Sequence, residues 1–284
     1  MNPGLQIPTL AIVGVGLMGG SIALASRRKK LASRIIGFDN RTENLQVALD
    51  RGIVDDPAPD LNRLASSASL VVFCAPVDRL ADLIGECADA CRPGTLLTDV
   101  GSTKSNIVRR LAGRLPSGVT YVGSHPLAGS EKNGPTSARE DLFEGKLVVV
   151  TPAGESPSAV STILKFWQAL GARVETMSPE QHDEALAVTS HLPHLVASAL
   201  AGVLPIEWKR LTATGFRDAT RLAAGSPELW RAIFQSNRPA LLASIRDFRE
   251  HLDRFFDALQ ENDGEKLKLL LQQGKYVRES LSDP

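Results

Sequence analysis

Through the first 177 residues, apolar side chains come in short unbroken runs, each bounded by glycine, proline or charge. Residues 10–13, 34–39, 70–75, 95–100, 119–123, 146–151 and 172–177 read as strands on this pattern. Between them the apolar spacing opens to a helical period. Helices are expected over 42–51, with Thr42 as N-cap and Gly52 ending it, and over 78–91, 103–115 and 156–170. Residues 55–60, with two prolines, read as a loop. Strands apolar on both faces, alternating with helices, specify a mostly parallel sheet covered on both sides. Such sheets bind ligands beyond the carboxyl ends of their strands. That rule singles out Gly14 to Gly19, Asp39, Ala75-Pro76, Gly101-Ser102 and Ser124-His125.

From Ser178 onward the strand signals stop. Residues 179–203 read as one long helix carrying Pro193. Over 238–260, Leu241, Ile245, Phe248, Leu252, Phe255 and Leu259 follow the alternating four–three spacing of a helix–helix seam, widened by Leu242 and Phe256. Residues 265–281 repeat the habit with Leu267, Leu270, Leu271, Val277 and Leu281. Packing within one chain produces such stripes, and so does a subunit interface. A helical domain of about a hundred residues can hardly cover this much apolar surface alone, so a homodimer is the expectation. The chain divides accordingly into an α/β domain over 1–177 and an all-helical domain over 178–284.

The first strand runs into a glycine-rich turn: Gly14-Val-Gly-Leu-Met-Gly-Gly-Ser21, then Ala, Leu and Ile of good helix propensity. Gly14 allows the tight turn, Gly16 lets a pyrophosphate approach the backbone, and Gly19 lets the helix pack on the strand. The N–H groups of the helix start, with Leu17 and Met18 in its first turn, face the phosphates. Asp39 ends the next apolar run 20 residues beyond Gly19, the spacing of a carboxylate that holds the adenosine ribose hydroxyls. The expected cofactor is therefore a dinucleotide, NAD by virtue of Asp39. Arg41 keeps NADP open, because a guanidinium accommodates a 2′-phosphate.

Composition narrows the partners. The chain has 284 residues, and its 32 basic and 32 acidic side chains cancel. No global field draws in nucleic acid or an anionic membrane, and an anionic substrate must be met by locally placed cations. No charged leader precedes an apolar stretch at the N-terminus, and no uninterrupted apolar run approaches membrane-spanning length. Cys74, Cys87 and Cys91 are odd in number and sparse, which points to a reducing, cytoplasmic setting. Cys87 and Cys91 lie one helical turn apart with no other Cys or His near in sequence, so no metal site is expected.

Four stretches carry candidate chemistry. Asp99-Val-Gly-Ser-Thr-Lys104 ends a strand with a hydroxyl and an ammonium at the ligand edge, although Ser102 or Thr103 also reads as a helix N-cap. Gly123-Ser-His-Pro-Leu-Ala-Gly-Ser-Glu-Lys-Asn-Gly134 places His125 where a loop meets the nucleotide. Ser190-His-Leu-Pro-His194 sets two imidazoles one turn apart, suited to hydrogen bonding more than to a metal that lacks a third ligand. Thr214-Gly-Phe-Arg-Asp-Ala-Thr-Arg221 offers Arg217 and Arg221 as carboxylate clamps.

Together with the glycine turn, these motifs closely resemble the prephenate/arogenate dehydrogenases, in that family's order and over residues 9–260. The resemblance implies a Rossmann-type domain followed by an all-helical dimerisation domain. It implies oxidative decarboxylation of prephenate or arogenate in tyrosine biosynthesis. By motif, His125 bonds the ring hydroxyl and Ser102 assists it beside the nicotinamide. Arg221 binds a carboxylate, His194 belongs to the substrate pocket, Gly215 opens the clamp motif, and Trp230 lines the pocket. Ala75, Pro76 and Gly101 complete the cofactor set. Two competing readings share only part of this pattern. A two-domain β-hydroxy-acid dehydrogenase would carry the glycine turn without the last two motifs, and a non-catalytic dinucleotide sensor would have no need of His125 and Arg221.

Overall fold

The computed structural model describes residues 5–129 and 133–281. Its first elements are β1 (Ile7–Val13), α1 (Leu17–Arg28), β2 (Ala32–Phe38), α2 (Thr42–Asp50), β3 (Asp56–Pro57), α3 (Leu61–Ser67), β4 (Leu70–Phe73), α4 (Val77–Asp89), β5 (Leu96–Asp99), α5 (Ser105–Leu111) and β6 (Thr120–Tyr121). The six strands form one sheet in the order β3-β2-β1-β4-β5-β6, every pair parallel. Both faces are buried. Leu10 and Ile12 of β1, with Leu70 and Val72 of β4, belong to one core; Ala11, Val13, Val71 and Phe73 belong to the other. The order reverses between β1 and β4, the crevice where open parallel sheets take their ligands.

Several boundaries depart from the sequence expectations. The proline-containing stretch at 55–60 supplies the edge strand β3, where the lost donors of Pro57 face no neighbour. Helix α3 was not foreseen; Asp60 caps it by accepting from Arg63 N at 2.7 Å. Thr42 does not cap α2, whose cap position is Arg41. Gly52 does end it, at φ +62°.

The expected strand over 119–123 is broken, and the sheet is two sheets. After Val122 the chain leaves the parallel sheet and enters β7 (Gly123–Pro126), which pairs antiparallel with β8 (Leu147–Thr151); β8 pairs parallel with β9 (Arg173–Thr176). Gly123 makes the step feasible, because a Cβ there would sit 2.6 Å from Thr151 Oγ1. Helix α6 (Pro157–Ala169) contributes Phe166 and Trp167 to the same core as Val148 and Val150.

The expected long helix is α7 (Pro179–Leu186), a π turn over Ala187–His191, and α8 (Leu192–Gly202). Pro193 has no N–H and its ring crowds the carbonyl four residues earlier, and a π turn widens the helix just there. By length and composition Pro179–Gly202 is apolar enough to cross a bilayer, which the sequence reading had not credited. Its first turns nevertheless carry the buried pair His182 and Asp183. Short helices follow: α9 (Thr214–Thr220), a tight turn Arg221–Ala224, and α10 (Pro227–Ser236), whose Ala232 and Ile233 join the core of α4.

The chain separates into two compact units, Met1–Asn237 and Arg238–Pro284. Helices α7 to α10 fall within the first unit. The second unit consists of α11 (Arg238–Gln260) and α12 (Gly264–Ser280).

Candidate active site

The glycine turn is shaped as its sequence requires. Gly14 has φ +91°, and a Cβ on it would lie 2.5 Å from Cys74 O at the end of β4. A Cβ on Gly19 would lie 2.0 Å from Gly14 O and 2.7 Å from Ile12 Cγ2, so α1 packs on the turn without a side chain between. Around Gly16 there is open space. A cleft of about 650 Å³ lies over this turn, lined by Gly14, Gly16, Asp39, Ala75 and Pro76 among the expected residues. Arg41, expected only as a partner for a 2′-phosphate, lines it as well, and so do Asn44 and Arg79, which the sequence had not pointed to. Leu17 and Met18 lie in the first turn of α1 and pack on the core. Gly101 is buried, and a Cβ there would lie 2.5 Å from Leu80 Cδ1 and 2.7 Å from Asp99 Oδ2; its constraint is packing under the site.

Asp39 stands one residue past β2. Its Oδ2 accepts from Val15 N at 3.0 Å, and its Oδ1 from Arg41 N at 2.9 Å and Asn44 Nδ2 at 3.2 Å. A carboxylate offers about four acceptor positions, so roughly one remains for a ribose hydroxyl. The open glycine turn, the carboxylate and the cleft together fit a dinucleotide.

The second half of the site is assembled from distant segments. Lys104 is not at the ligand edge as expected. It is fully buried, its ammonium paired with Asp99 Oδ2 and donating to Ser124 O at 2.9 Å. Burial pulls its pKa down against the support of Asp99. Asp99 also accepts from Tyr121 OH at 2.8 Å and from Ser124 N at 3.2 Å, tying β5 to the first residues of β7. Ser124 Oγ donates to Asp99 O at 2.6 Å and accepts from Trp167 Nε1 at 3.0 Å. The ends of the two sheets are locked together at this point.

His125 therefore lies on β7, opposite Val149, and not in a loop. It is partly exposed. Its Nδ1 is 2.9 Å from His182 Nε2, and His182 Nδ1 is 2.8 Å from Asp183 Oδ1. Asp183 also accepts from Lys104 N at 2.8 Å and Ser105 N at 2.9 Å, so it caps α5 from 78 residues away. Neither Ser102 nor Thr103 does so; Thr103 Oγ1 is bonded to Ser236 Oγ at 2.7 Å. Ser102 sits half-buried in the loop between β5 and α5. Burial, with the neighbouring His182, Lys104 and His191, holds the His125 pKa well below the ordinary histidine value.

Of the two imidazoles in the helical motif, His191 is buried and its Nδ1 accepts from Asn237 Nδ2 at 3.1 Å. Burial lowers its pKa to about 4. His194 stacks on Trp230, with ring centroids 3.4 Å apart and planes inclined by 23°. Helix α8, which carries His194, packs against the tight turn that starts at Arg221, and burial, then the charge of Arg221, lowers the His194 pKa. Gly225 permits the stack, since a Cβ on it would lie 2.6 Å from Trp230 Nε1 and 3.1 Å from His194 Cε1. Gly215 lies exposed in the first turn of α9 with open space around it. Arg217 and Arg221 are exposed and make no ion pair among the described residues.

The first unit thus carries a dinucleotide cleft, a neutral imidazole and an arginine with no ion pair among the described residues. Residues 22–176 match the family model described as prephenate dehydrogenase, nucleotide-binding domain, and residues 178–273 match prephenate dehydrogenase, dimerization domain. The chain belongs to the prephenate dehydrogenase family. It is 35% identical to a prephenate dehydrogenase of Bacillus subtilis, over 96% of this chain and 76% of that protein. A cyclohexadienyl dehydrogenase of Zymomonas mobilis is also 35% identical, over 91% of this chain and 90% of its own. The crystal structure of Aquifex aeolicus prephenate dehydrogenase with hydroxyphenyl propionate and NAD+ superposes with a TM-score of 0.91 at 31% identity, covering 98% of this chain and 99% of that one.

His182, Asp183, Asn237 and Gly225 escaped the sequence reading. His182 and Asp183 stand among Glu180, Gln181 and Glu184 in α7, so nothing in the local sequence singles them out. Nothing local marks Gly225 or Asn237.

Proposed function

We propose that the chain oxidatively decarboxylates prephenate to 4-hydroxyphenylpyruvate with NAD, or arogenate to tyrosine, in the cytoplasm and as a homodimer. The observation that carries the reading is His125, a partly open imidazole kept neutral inside a buried hydrogen-bond network. Membership of the family supports it.

The substrate ring bears a hydroxyl on one carbon and a carboxylate on the carbon opposite. Bound NAD supplies the hydride acceptor. Hydride leaves the hydroxyl-bearing carbon with its electron pair, the pair of the bond to the carboxylate passes into the ring, and carbon dioxide departs. As the oxygen gains carbonyl character His125 takes up its proton, and returns it as the ring becomes a phenol. No net proton is consumed. Aromatisation drives the reaction, so the residues need only position the substrate and hold one proton. Arg221 clamps a carboxylate, His194 and Trp230 form an apolar wall with a polar edge, and Ser102 supports the hydroxyl beside the nicotinamide.

The dimer rests on surface the isolated chain leaves bare: Leu252, Phe256 and Leu259 of α11, and Leu271 and Val277 of α12, are all more than half exposed. Sedimentation at micromolar concentration should show two subunits; a monomer would remove this part of the reading.

An absorbance assay for NADH with prephenate and arogenate, each with NAD and NADP, tests the activity. Turnover of at least one substrate, faster with NAD, is expected. NAD binding with no turnover of either would leave a dinucleotide sensor, and turnover of a simple β-hydroxy acid alone would reassign the substrate.

A further inference from the structure

We propose that His182 and Asp183 are positioning residues that fix the tautomer of His125 and, through the same carboxylate, the loop that carries Ser102. The proposal rests on the reading of His125 as proton acceptor.

The assignment follows from counting donors. Asp183 accepts at Oδ1 from Lys104 N and at Oδ2 from Ser105 N, and burial notwithstanding, these bonds with that from His182 hold its carboxyl below the usual range. An ionised carboxylate has only lone pairs to offer, so His182 Nδ1, 2.8 Å from Oδ1, carries the hydrogen. Burial lowers the His182 pKa despite Asp183, which leaves that ring neutral with a single N–H. Its Nε2 is then an acceptor, and His125 Nδ1 at 2.9 Å must be the donor. A neutral His125 so arranged has a bare Nε2. That is the atom available to take the substrate's proton.

The rest of the cluster keeps this order in place. Asn237 Nδ2 donates to Asp183 O at 2.7 Å as well as to His191 Nδ1, fixing α7 relative to the end of α10. The charged and titratable groups around His125 are Lys104 paired with Asp99, Tyr121 bonded to Asp99, His182, Asp183 and His191. Asp183 reaches the site by two routes: through His182 to the imidazole, and through the Lys104 and Ser105 N–H groups to the start of α5, directly after the Ser102 loop. One carboxylate thereby sets the relative placement of both groups that meet the ring hydroxyl.

The first test needs no substrate. Nitrogen NMR of the intact protein, labelled in its imidazoles, should show His125 protonated at Nδ1 and bare at Nε2 at neutral pH. The reverse tautomer in the unmodified protein would overturn the proposal while leaving the activity untouched. Kinetics give the second test. His182→Leu removes the acceptor and should lower kcat by about ten- to a hundred-fold with little change in KM or NAD affinity. His182→Gln, whose amide oxygen accepts from His125 while its nitrogen donates to Asp183, should restore most of that loss. Turnover and an acidic limb in His182→Leu identical to those of the unmodified enzyme would sink the idea, as would a Gln variant no better than Leu. An unmodified enzyme that turns over neither prephenate nor arogenate would instead refute the proposed function, and the NMR result would stand by itself.

Discussion

The two halves of this site are built in different ways. The nucleotide cleft is local: β1, the glycine turn, Asp39 and the Ala75-Pro76 edge come from one stretch of parallel strands, and the constraints are steric ones at Gly14 and Gly19. The half around His125 draws on β5, β7, α7 and the residue after α10, held by buried charges and hydrogen bonds across up to 79 positions of sequence. A locally built site is set by backbone shape. A site gathered from afar depends on each polar partner being satisfied, because a buried group left unpaired costs about 1–3 kcal/mol. The halves should therefore fail separately.

The largest separation is expected from His125→Asn. Turnover should fall by roughly 10²–10⁴-fold, the usual worth of a general base, with NAD affinity unchanged. With His125 in its proposed role only the neutral imidazole accepts a proton, so activity should fall as pH drops through its pKa. Burial, with the neighbouring His182, Lys104 and His191, puts that pKa below the ordinary histidine value, so the acidic limb belongs at lower pH than an exposed histidine would give. A variant with near-native turnover and the same limb would make His125 structural and His194 the next candidate.

Arg221→Ala comes next. Losing a charge-assisted contact to a carboxylate should weaken substrate binding by about 1.5–3 kcal/mol, roughly ten- to a hundred-fold in KM. An unchanged KM would move the clamp to Arg217 or to Lys132 of the 123–134 stretch; Lys132 lies outside the described residues. On the other half, Gly19→Ala forces a methyl against Gly14 O and should cost about 1–3 kcal/mol in thermal stability, with weaker NAD binding. Unaltered NAD affinity in that variant would mean the turn does not hold the pyrophosphate.

The histidine cluster also makes a prediction for stability. His125, His182, His191 and His194 all have lowered pKa values in the fold, that of His191 to about 4, mainly through burial. Below about pH 6.5 the unfolded chain binds more protons than the folded one, so stability is present above that pH and is lost as pH falls. The melting temperature should decline between about pH 6.5 and pH 4, and less steeply in a His191→Gln variant. Equal slopes would place the acid sensitivity elsewhere. The smallest effect is expected from Asp39→Ala, which should erode the preference for NAD over NADP without abolishing either. A preference left intact would assign discrimination to Arg41 or Arg79 instead.

Much of this molecule was legible in the chain itself. Continuous apolar runs, glycine at 14 and 19, and an acid at 39 dictate a parallel sheet with a nucleotide turn, because backbone sterics and periodicity act over a few residues. The motifs around His125, His194 and Arg221 also stand out in the chain, as polar stretches set between apolar runs. Other features were settled only by tertiary packing. Lys104 became a buried partner of Asp99 and not a ligand-edge cation, since the step between the two sheets at Gly123 encloses it. The cap of α5 came from Asp183, and the orientation of His125 from His182, because a hydrogen-bond donor is satisfied by whatever acceptor the fold brings within about 3 Å, however distant in sequence. The stripe on α11 and α12 is legible as apolar from the sequence, but whether a residue on it is covered depends on three-dimensional packing: Leu241 is buried and Leu259 is not.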